Sequence, residues 1–292
     1  MYEARFGLKR RPFPPTPDSS LYYPSTPHEQ ALAPLLRAIN EDEGSLLLVG
    51  EPGTGKTLLG QIFLERLGDG IVSAFLPHSQ FTDRRGLLQT ILFDLGLPYE
   101  DGTEQLLRLR LTEYALKAAS DGKRFVVVLD EAHHLTPEML EELRLLGNLE
   151  AGRKAFQVLC LAQTPIFETL KQPALAAWSQ RLAVRGILPA LTTEDAHDYL
   201  RHHLRLAGGR PEAIFDEAAL ETLARGARGI PRLLNQSAHQ ALQLADAGDL
   251  QQVDIECAAE ALGRLGLEDA GAEHEAILDL HAVPPQPLRR SA

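Results

Sequence analysis

Short apolar runs alternate along the first two thirds of the chain with segments in which apolar residues recur at helical spacing. The apolar runs have the length and β-branched content of buried strands, and they lie at 45–49, 71–76, 124–130, 156–163 and 181–191. The helical patterns lie at 28–40, 57–68, 83–96, 103–120 and 136–150. Strands that alternate with helices predict a parallel sheet covered on both faces. We therefore expect an α/β fold, a three-layer αβα domain with a five-stranded parallel sheet.

The strand pattern stops at Thr192, and the helical segments that follow lie at about 192–207, 216–226, 231–247 and 253–264. We therefore predict an α/β core over 28–191 and a small all-helical domain over 192–265. Residues 1–27 are rich in proline and aromatic residues, which excludes long regular structure there. Residues 266–292 carry too little apolar surface to offset the entropy of ordering, so we expect a flexible tail.

Composition limits the class of protein. The 292 residues carry a formal charge of −11, which repels nucleic acid as a whole, so contact with DNA would need a local basic patch. Two cysteines, Cys160 and Cys257, are too few for a disulfide framework. The N-terminus lacks the apolar segment of a signal peptide, and no run reaches the ~20 apolar residues of a membrane span. We expect a cytoplasmic protein without membrane insertion.

One loop carries a phosphate-binding pattern, G-x-x-x-x-G-K-[ST], between the first apolar run and the helix that follows. Glycines let backbone N–H groups converge on phosphate oxygens, and the helix start adds partial positive charge. The lysine neutralises charge and the threonine hydroxyl ligates Mg²⁺. A chance match to a glycine-rich turn is the alternative, and the strand and helix around the loop weigh against it. The residues expected to bind ATP are Gly50, Glu51, Pro52, Gly53, Thr54, Gly55, Lys56, Thr57 and Leu58.

Two adjacent carboxylates end the β-branched run at 124–130. Asp130 is expected to hold Mg²⁺ together with Thr57, through water, and Glu131 to act as the general base on the attacking water. An acid that merely stabilises a helix start is the alternative for Glu131. The string Asp-Glu-Ala-His at 130–133 also occurs in helicases, but the residues that follow leave no room for a second helicase lobe beside the helical domain.

Other polar positions carry weaker signals. Gln163 ends the fourth apolar run, where its amide either orients the attacking water or caps a loop. Arg181 and Arg185 either reach the γ-phosphate of a neighbouring subunit or are solvated, and Arg232, beside Pro231 at a helix start, is expected to contact the phosphates. The histidine pairs 133/134 and 202/203 are adjacent rather than four residues apart, so we assign no metal to them.

These motifs together resemble the AAA+ ATPases, and more narrowly the ExeA/GspA family of general secretion pathway protein A. The stretches that carry the resemblance are "FGLKRRPFPPTPDSSLYYPSTPHEQAL", "GEPGTGKT", "LDEAHHLTPEMLEELRLLGNLE" and "GIPRLLNQSAHQAL". The resemblance implies a P-loop NTPase core with an AAA+ lid domain and assigns the site residues. These are Lys56 and Thr57 in Walker A, Asp130 and Glu131 in Walker B, Gln163 as sensor 1, Arg181 as arginine finger and Arg232 as sensor 2. It also implies that the segment 1–27 packs near the adenine, with Phe13, Tyr22 or His28 lining the base pocket.

The chain departs from the family pattern in two motifs. It has Glu-Ala-His-His at 131–134 where the family commonly has Glu-Ala-Gln-Asn, and Ala-Gln-Thr-Pro at 162–165 where it commonly has Gly-Gln-Pro-Glu. Secretion-pathway members also continue into a transmembrane helix and a peptidoglycan-binding region, and we expect a soluble form that lacks both.

Three functions fit these observations. The first is an ATP-hydrolysing enzyme that forms a nucleotide-dependent homo-oligomer, a ring or a filament, and acts on an unknown partner protein complex in secretion or envelope assembly. The second is a DNA-associated ATPase regulator of the TnsC/TniB transposition type. The third is a nucleotide-binding scaffold with little turnover.

Overall fold

Five parallel strands form a single sheet in the order β2-β3-β4-β1-β5. The strands are β1 Ser45–Gly50, β2 Ile71–Leu76, β3 Arg124–Leu129, β4 Gln157–Ala162 and β5 Leu182–Leu188. β1 and β4 are buried along their whole length, as interior strands of a covered parallel sheet must be. β5 is an edge strand in which Ala183, Arg185 and Ile187 are exposed, and this alternation explains its weaker apolar pattern. The predicted α/β fold with five parallel strands is confirmed.

The structure is a computed structural model that describes residues 2–267. The longer helices are α2 Thr26–Asn40, α3 Lys56–Leu67, α4 Arg84–Asp94, α5 Glu104–Ser120, α6 Pro137–Leu146, α9 Thr193–Leu206, α11 Glu217–Gly226, α12 Pro231–Ala247 and α13 Ile255–Arg264. The short helices, which the sequence pattern did not predict, are α1 Tyr2–Arg5, α7 Ile166–Leu170, α8 Ala176–Gln180 and α10 Pro211–Ile214. Each has at most five residues, too few for a periodic pattern to appear. The predicted tail, 266–292, lies almost entirely outside the described residues.

Side-chain caps explain where most of the longer helices begin. A serine, threonine or aspartate before the first turn accepts a hydrogen bond from a backbone N–H that has no partner within the helix. These caps are Ser25, Asp83, Thr103, Thr136, Thr192, Asp216 and Asp254. α3 has no such cap, because Gly55 precedes it in a left-handed conformation. The helix that follows the glycine-rich loop therefore begins without a side-chain cap, directly after that loop.

Two apolar layers lie on the two faces of the sheet. In β1, Leu47 and Val49 belong to one layer and Leu46 and Leu48 to the other, as the two-residue period of a strand requires. α3 packs very closely on the sheet, because a Cβ at Gly60 would lie 2.7 Å from Cδ1 of Leu161. Within the described residues, no helix combines the length and the apolar character needed to cross a bilayer.

The chain divides into two compact units. One is Pro14–Leu191, and the other combines the residues up to Phe13 with the chain from Thr192 onward. We had treated residues 1–27 as one segment, whereas the structure divides that segment after Phe13. The reason is packing within the helical unit, where Phe13 is fully buried and stacks on His203, whose Nδ1 donates to the carbonyl of Pro12. Whether either part of the segment lies near an adenine stays a prediction.

Candidate functional site

Three neighbouring strands end at one edge of the sheet and place the predicted polar residues there. β1 ends at Gly50, and the register pairs Val49 with Ala162 of β4. β4 in turn lies beside β3, which Asp130 follows directly. The loop after β1, Asp130 and Gln163 therefore emerge side by side, although 113 positions separate Gly50 from Gln163 in the chain.

The loop between β1 and α3 depends on its glycines. Gly53 and Gly55 have φ angles of +85° and +98°, a region that residues with a Cβ rarely adopt. Gly50 adopts no such angle, but a Cβ there would lie 2.8 Å from the carbonyl oxygen of Leu188. The loop conformation thus depends on the glycines that the sequence supplies.

Lys56 lies inside the loop that precedes it. It is 5% exposed, and its Nζ donates to the carbonyl oxygens of Gly50, at 2.9 Å, and Glu51, at 3.0 Å. Thr54 closes the same turn, since its Oγ1 donates to Glu51 O at 2.9 Å. The ammonium group therefore stands at the centre of the loop, the position from which a lysine neutralises phosphate charge.

Thr57 and Asp130 are in direct contact, since Oγ1 of Thr57 donates a hydrogen bond to Oδ2 of Asp130. Asp130 is 2% exposed, and its Oδ1 accepts from the backbone N–H of Glu131 at 2.8 Å. Burial raises the pKa of Asp130 above its usual range, and the hydrogen bonds from Thr57 and from the Glu131 amide oppose that rise. A cation beside these two oxygens would favour the ionised carboxylate.

Glu131 is positioned by an unusual backbone angle and by a side-chain amide. Its φ is +53°, which is uncommon for a residue with a Cβ and is often found at functional sites. Nε2 of Gln163 donates to Oε2 of Glu131 at 3.0 Å. The structure therefore joins the ends of β3 and β4 through these two side chains, and the amide of Gln163 contacts the carboxylate rather than capping its own loop.

His133 is a contact of this site that sequence reasoning missed. Its Nδ1 accepts a hydrogen bond from the backbone N–H of Gln163 at 3.4 Å, and its Nε2 lies 3.4 Å from Oε2 of Glu131. Burial, and then the charge of neighbouring His134, lower the pKa of His133. Glu131, His133 and His134 each bring one potential ligand atom within 4.8 Å of the others, a proximity that adjacent numbering did not indicate. Both ring nitrogens of His133 already have partners in the protein, and we assign no metal to the group.

The two arginines considered as arginine fingers belong to the segment of β5: Arg181 lies at the amino-terminal edge of the sheet, and Arg185 lies in the middle of the strand. Arg181 directly precedes β5, whose first residue pairs with Ser45, the first residue of β1. Arg181 and Arg144 line a surface cavity of about 340 Å³ at that amino-terminal edge. Arg185 is exposed on β5, and its Nη2 donates to Ser179 O at 2.5 Å. Within its own chain, Arg181 thus faces away from the glycine-rich loop.

The residues that the resemblance assigned to sensor 2 and to the base pocket differ in burial and in contacts. Arg232 is exposed in the first turn of α12, in the helical unit. Phe13 has no exposed surface, and the hydroxyl of half-buried Tyr22 donates to Glu29 at 2.9 Å. His28 is buried and contacts the glycine-rich loop, with Nε2 3.0 Å from Thr54 O.

Comparisons with known proteins agree with this architecture. The family described as AAA domain matches residues 39–170. General secretion pathway protein A of Aeromonas hydrophila is 36% identical over 95% of this chain, which spans about half of that relative, 51% of its length. The RuvB subunit of the Holliday junction branch migration complex of Nitratidesulfovibrio vulgaris is 25% identical over 78% of this chain and 64% of its own length.

Solved structures share the fold at low identity. The ORC2 protein of Aeropyrum pernix, in ADPNP–ADP complexes, superposes with a TM-score of 0.67 at 16% identity, over 87% of this chain and 71% of its own. The RuvB motor of Thermotoga maritima gives a TM-score of 0.57 at 18% identity, over 88% of this chain and 76% of its own. The matches, the parallel sheet and the glycine-rich loop together confirm the predicted resemblance: the chain is an AAA+ protein with the P-loop αβα fold, related to general secretion pathway protein A.

Proposed function

We propose that the protein binds ATP in the glycine-rich loop and hydrolyses it. The observation that carries the proposal is the contact between Thr57, at the start of α3, and Asp130, at the end of β3. This contact brings the loop lysine, a hydroxyl and two carboxylates to one edge of the sheet. Phosphoryl transfer to water needs that set: a cradle for the phosphates, oxygen ligands for a cation and a base beside the water.

The oxygen ligands fit Mg²⁺. Thr57 Oγ1 and Asp130 Oδ2 are hard donors in mutual contact, and burial makes the charge of Asp130 costly unless a cation or hydrogen bonds offset it. Thr57 would hold the ion directly and Asp130 through water. When bound, Mg²⁺ supplies neutralisation of the charge on the β- and γ-phosphates.

Glu131 accepts the proton of the attacking water in this proposal. One carboxylate oxygen, Oε2, accepts a hydrogen bond from the amide of Gln163, and this contact restrains the orientation of the carboxylate. Lys56 and the loop N–H groups hold the phosphates in line with the water. Gln163 thus orients the base and stands next to the γ-phosphate position, as a sensor-1 residue does.

We further propose that activity requires a homo-oligomer. Arg181 faces away from the loop of its own chain, at the amino-terminal edge of β1 and β5, so it is available to the γ-phosphate of a neighbouring subunit. Arg232 of the helical unit is proposed to contact the nucleotide as sensor 2. The process is proposed from the name of the relative, general secretion, with the oligomer acting on a partner complex from the cytoplasm.

A DNA-associated ATPase is the second candidate, favoured by the likeness to RuvB. It requires a basic surface, and the described residues of the helical unit include ten arginines. Several of them are paired with glutamates, since Arg201 bonds Glu217 at 2.6 Å and Arg225 bonds Glu221 at 2.6 Å. These pairs lower the local positive charge, so the first function is preferred.

The test is ATP turnover by the purified protein, with molar mass measured by light scattering in ADP and in a non-hydrolysable ATP analogue. The proposal expects Mg²⁺-dependent turnover and a larger assembly with the analogue. Binding without turnover would support the scaffold function instead. Stimulation by duplex DNA would promote the DNA-associated function, and failure to bind nucleotide would refute the proposal.

A further inference from the structure

His28 lies in the first turn of α2, before the first strand, yet its ring reaches the glycine-rich loop. It is 6% exposed, and its Nε2 is 3.0 Å from the carbonyl oxygen of Thr54. A carbonyl oxygen only accepts hydrogen bonds, so Nε2 carries the proton and donates it. On the other side of the ring, Nδ1 is 2.5 Å from Oγ of Ser25. The imidazole is therefore held between the cap of its own helix and the loop.

The contact fixes the direction of one peptide group in the loop. In a planar trans peptide the C=O and the N–H point in opposite directions. With Thr54 O held toward His28, the N–H of Gly55 must point away from the ring, toward the interior of the loop. His28 also leaves little space on its own side, because a Cβ at Gly55 would lie 3.0 Å from Nε2.

The same helix turn is attached to the far end of α3. Glu29, the next residue, accepts two hydrogen bonds from Arg66, at 2.6 and 2.7 Å, and one from the hydroxyl of Tyr22 at 2.9 Å. The ring of Tyr22 in turn packs edge-on against His28, with the centroids 6.3 Å apart. The segment before β1 is thus connected to both ends of the helix that follows the loop.

We propose that His28 is a positioning residue that holds the Walker A loop in its phosphate-binding conformation by orienting the Thr54–Gly55 peptide. The inference rests on the proposed function, because it takes the loop to be the phosphate site. It differs from the role that the family resemblance implied, in which His28 lines the base pocket. The imidazole acts through the loop backbone and does not itself contact the nucleotide.

Two amide substitutions distinguish the roles of the two ring nitrogens of His28. In His28→Gln the side-chain NH₂ stands near the position of Nε2 and retains a donor for Thr54 O, whereas in His28→Asn it stands near Nδ1 and does not. Both substitutions leave a neutral side chain at a buried position. The readout is the dissociation constant of a fluorescent ADP analogue, together with KM and kcat for ATP. His197→Gln, at a histidine of the helical unit whose Nε2 lies 3.0 Å from Oε1 of Glu217, is the matched control.

We expect His28→Asn to weaken ADP-analogue binding and raise KM by about tenfold, the effect of losing one buried hydrogen bond. His28→Gln stays within about threefold of the wild type, and kcat at saturating ATP changes by less than about twofold in either variant, since the base is untouched. Melting temperatures check that the variants are folded, and His28→Gln gives the decisive comparison if His28→Asn is unstable.

Three results would overturn the inference. If both variants bind like the wild type, the loop does not need the donor; if both are equally weak, the donor to Thr54 O is not what matters. A fall in kcat with unchanged affinity would also contradict it. Absence of nucleotide binding by the wild type is a separate outcome, which would refute the proposed function itself.

Discussion

The α/β unit and the helical unit differ in which polar side chains they bury. In the α/β unit several buried polar residues lie at the carboxyl edge of the sheet, where Thr54, Lys56 and Asp130 are each at most 5% exposed, and others, such as Glu142 and Gln157, are buried elsewhere in the unit. In the described part of the helical unit the buried polar side chains are His203 and Ser237, and each bonds to a nearby backbone carbonyl. The buried lysine and carboxylate side chains of the described residues, Lys56, Asp130 and Glu142, all belong to the α/β unit.

This difference has an energetic reason. Burying a charged group costs free energy unless partners offset the cost, so a fold retains such groups where an interaction needs them. Positive φ at Glu131 adds backbone strain at the same edge. Substitutions there are expected to change binding or turnover, whereas substitutions in the helical unit, apart from the proposed sensor Arg232, are expected to change stability first. Four predictions test that contrast.

The largest effect is expected for Lys56→Ala. Removing the ammonium leaves the phosphate charge unneutralised, so nucleotide affinity should fall by at least about 100-fold and turnover should vanish. Calorimetric titration with Mg·ATP measures it. Lys171→Ala removes an exposed lysine paired with Glu168 and serves as the matched control. Undiminished ATP binding by Lys56→Ala would place the nucleotide elsewhere.

Glu131→Gln should separate chemistry from binding. The amide keeps the size of the side chain but accepts no proton, so kcat should fall by about 100-fold or more while ATP affinity stays within a few fold. A stable ATP-bound oligomer should then accumulate and be visible by light scattering. Glu138→Gln, at an exposed acid at the start of α6, is the control. Turnover unaffected by Glu131→Gln would remove that residue from the mechanism.

Arg181→Ala and Arg185→Ala compare the arginine that precedes β5 with the arginine in the middle of that strand. If Arg181 acts on a neighbouring subunit, its loss should lower kcat by roughly 10³-fold without weakening ATP binding. Arg185 bonds Ser179 within its own chain, so its loss should have little effect. Steady-state kinetics of each variant, and of mixtures of Arg181→Ala with Lys56→Ala subunits, distinguish the two. The reverse ranking would assign the role to Arg185.

Much of the α/β unit was predictable from the sequence because its signals are local. A continuous apolar run such as that of β1 indicates a buried strand, and the glycine-rich pattern predicts a backbone that only glycine adopts. The edge strand β5 has a weaker apolar pattern, since exposed Ala183 and Arg185 alternate with only partly buried positions. The pattern of the strands also left open the order β2-β3-β4-β1-β5, because register and neighbours depend on long-range packing.

The contacts that the sequence missed are those between distant positions. His133 approaches Gln163 only because β3 and β4 are neighbours in the sheet, and His28 approaches Thr54 only because α2 packs beside the loop. Neither contact has a spacing that a motif describes. Adjacent numbering suggested that the pair His133 and His134 faces different directions, yet the turn at Glu131 brings their donor atoms close together. Sequence motifs therefore identified the reacting groups better than the groups that position them.

The smallest effect is expected in the helical unit, at the cap of α11. Oδ1 of Asp216 accepts the backbone N–H of Ala219 at 2.5 Å, so Asp216→Ala leaves that N–H without its partner. Loss of a cap costs about 1 kcal/mol, which lowers the melting temperature by roughly 2 to 4 °C in a protein of this size. Asp216→Asn keeps an accepting oxygen and should melt within about 1 °C of the wild type. ATP affinity should be unchanged in both variants. A loss of affinity in Asp216→Ala at constant stability would mean that the helical unit takes part in nucleotide binding through α11, and the contrast between the two units would no longer hold.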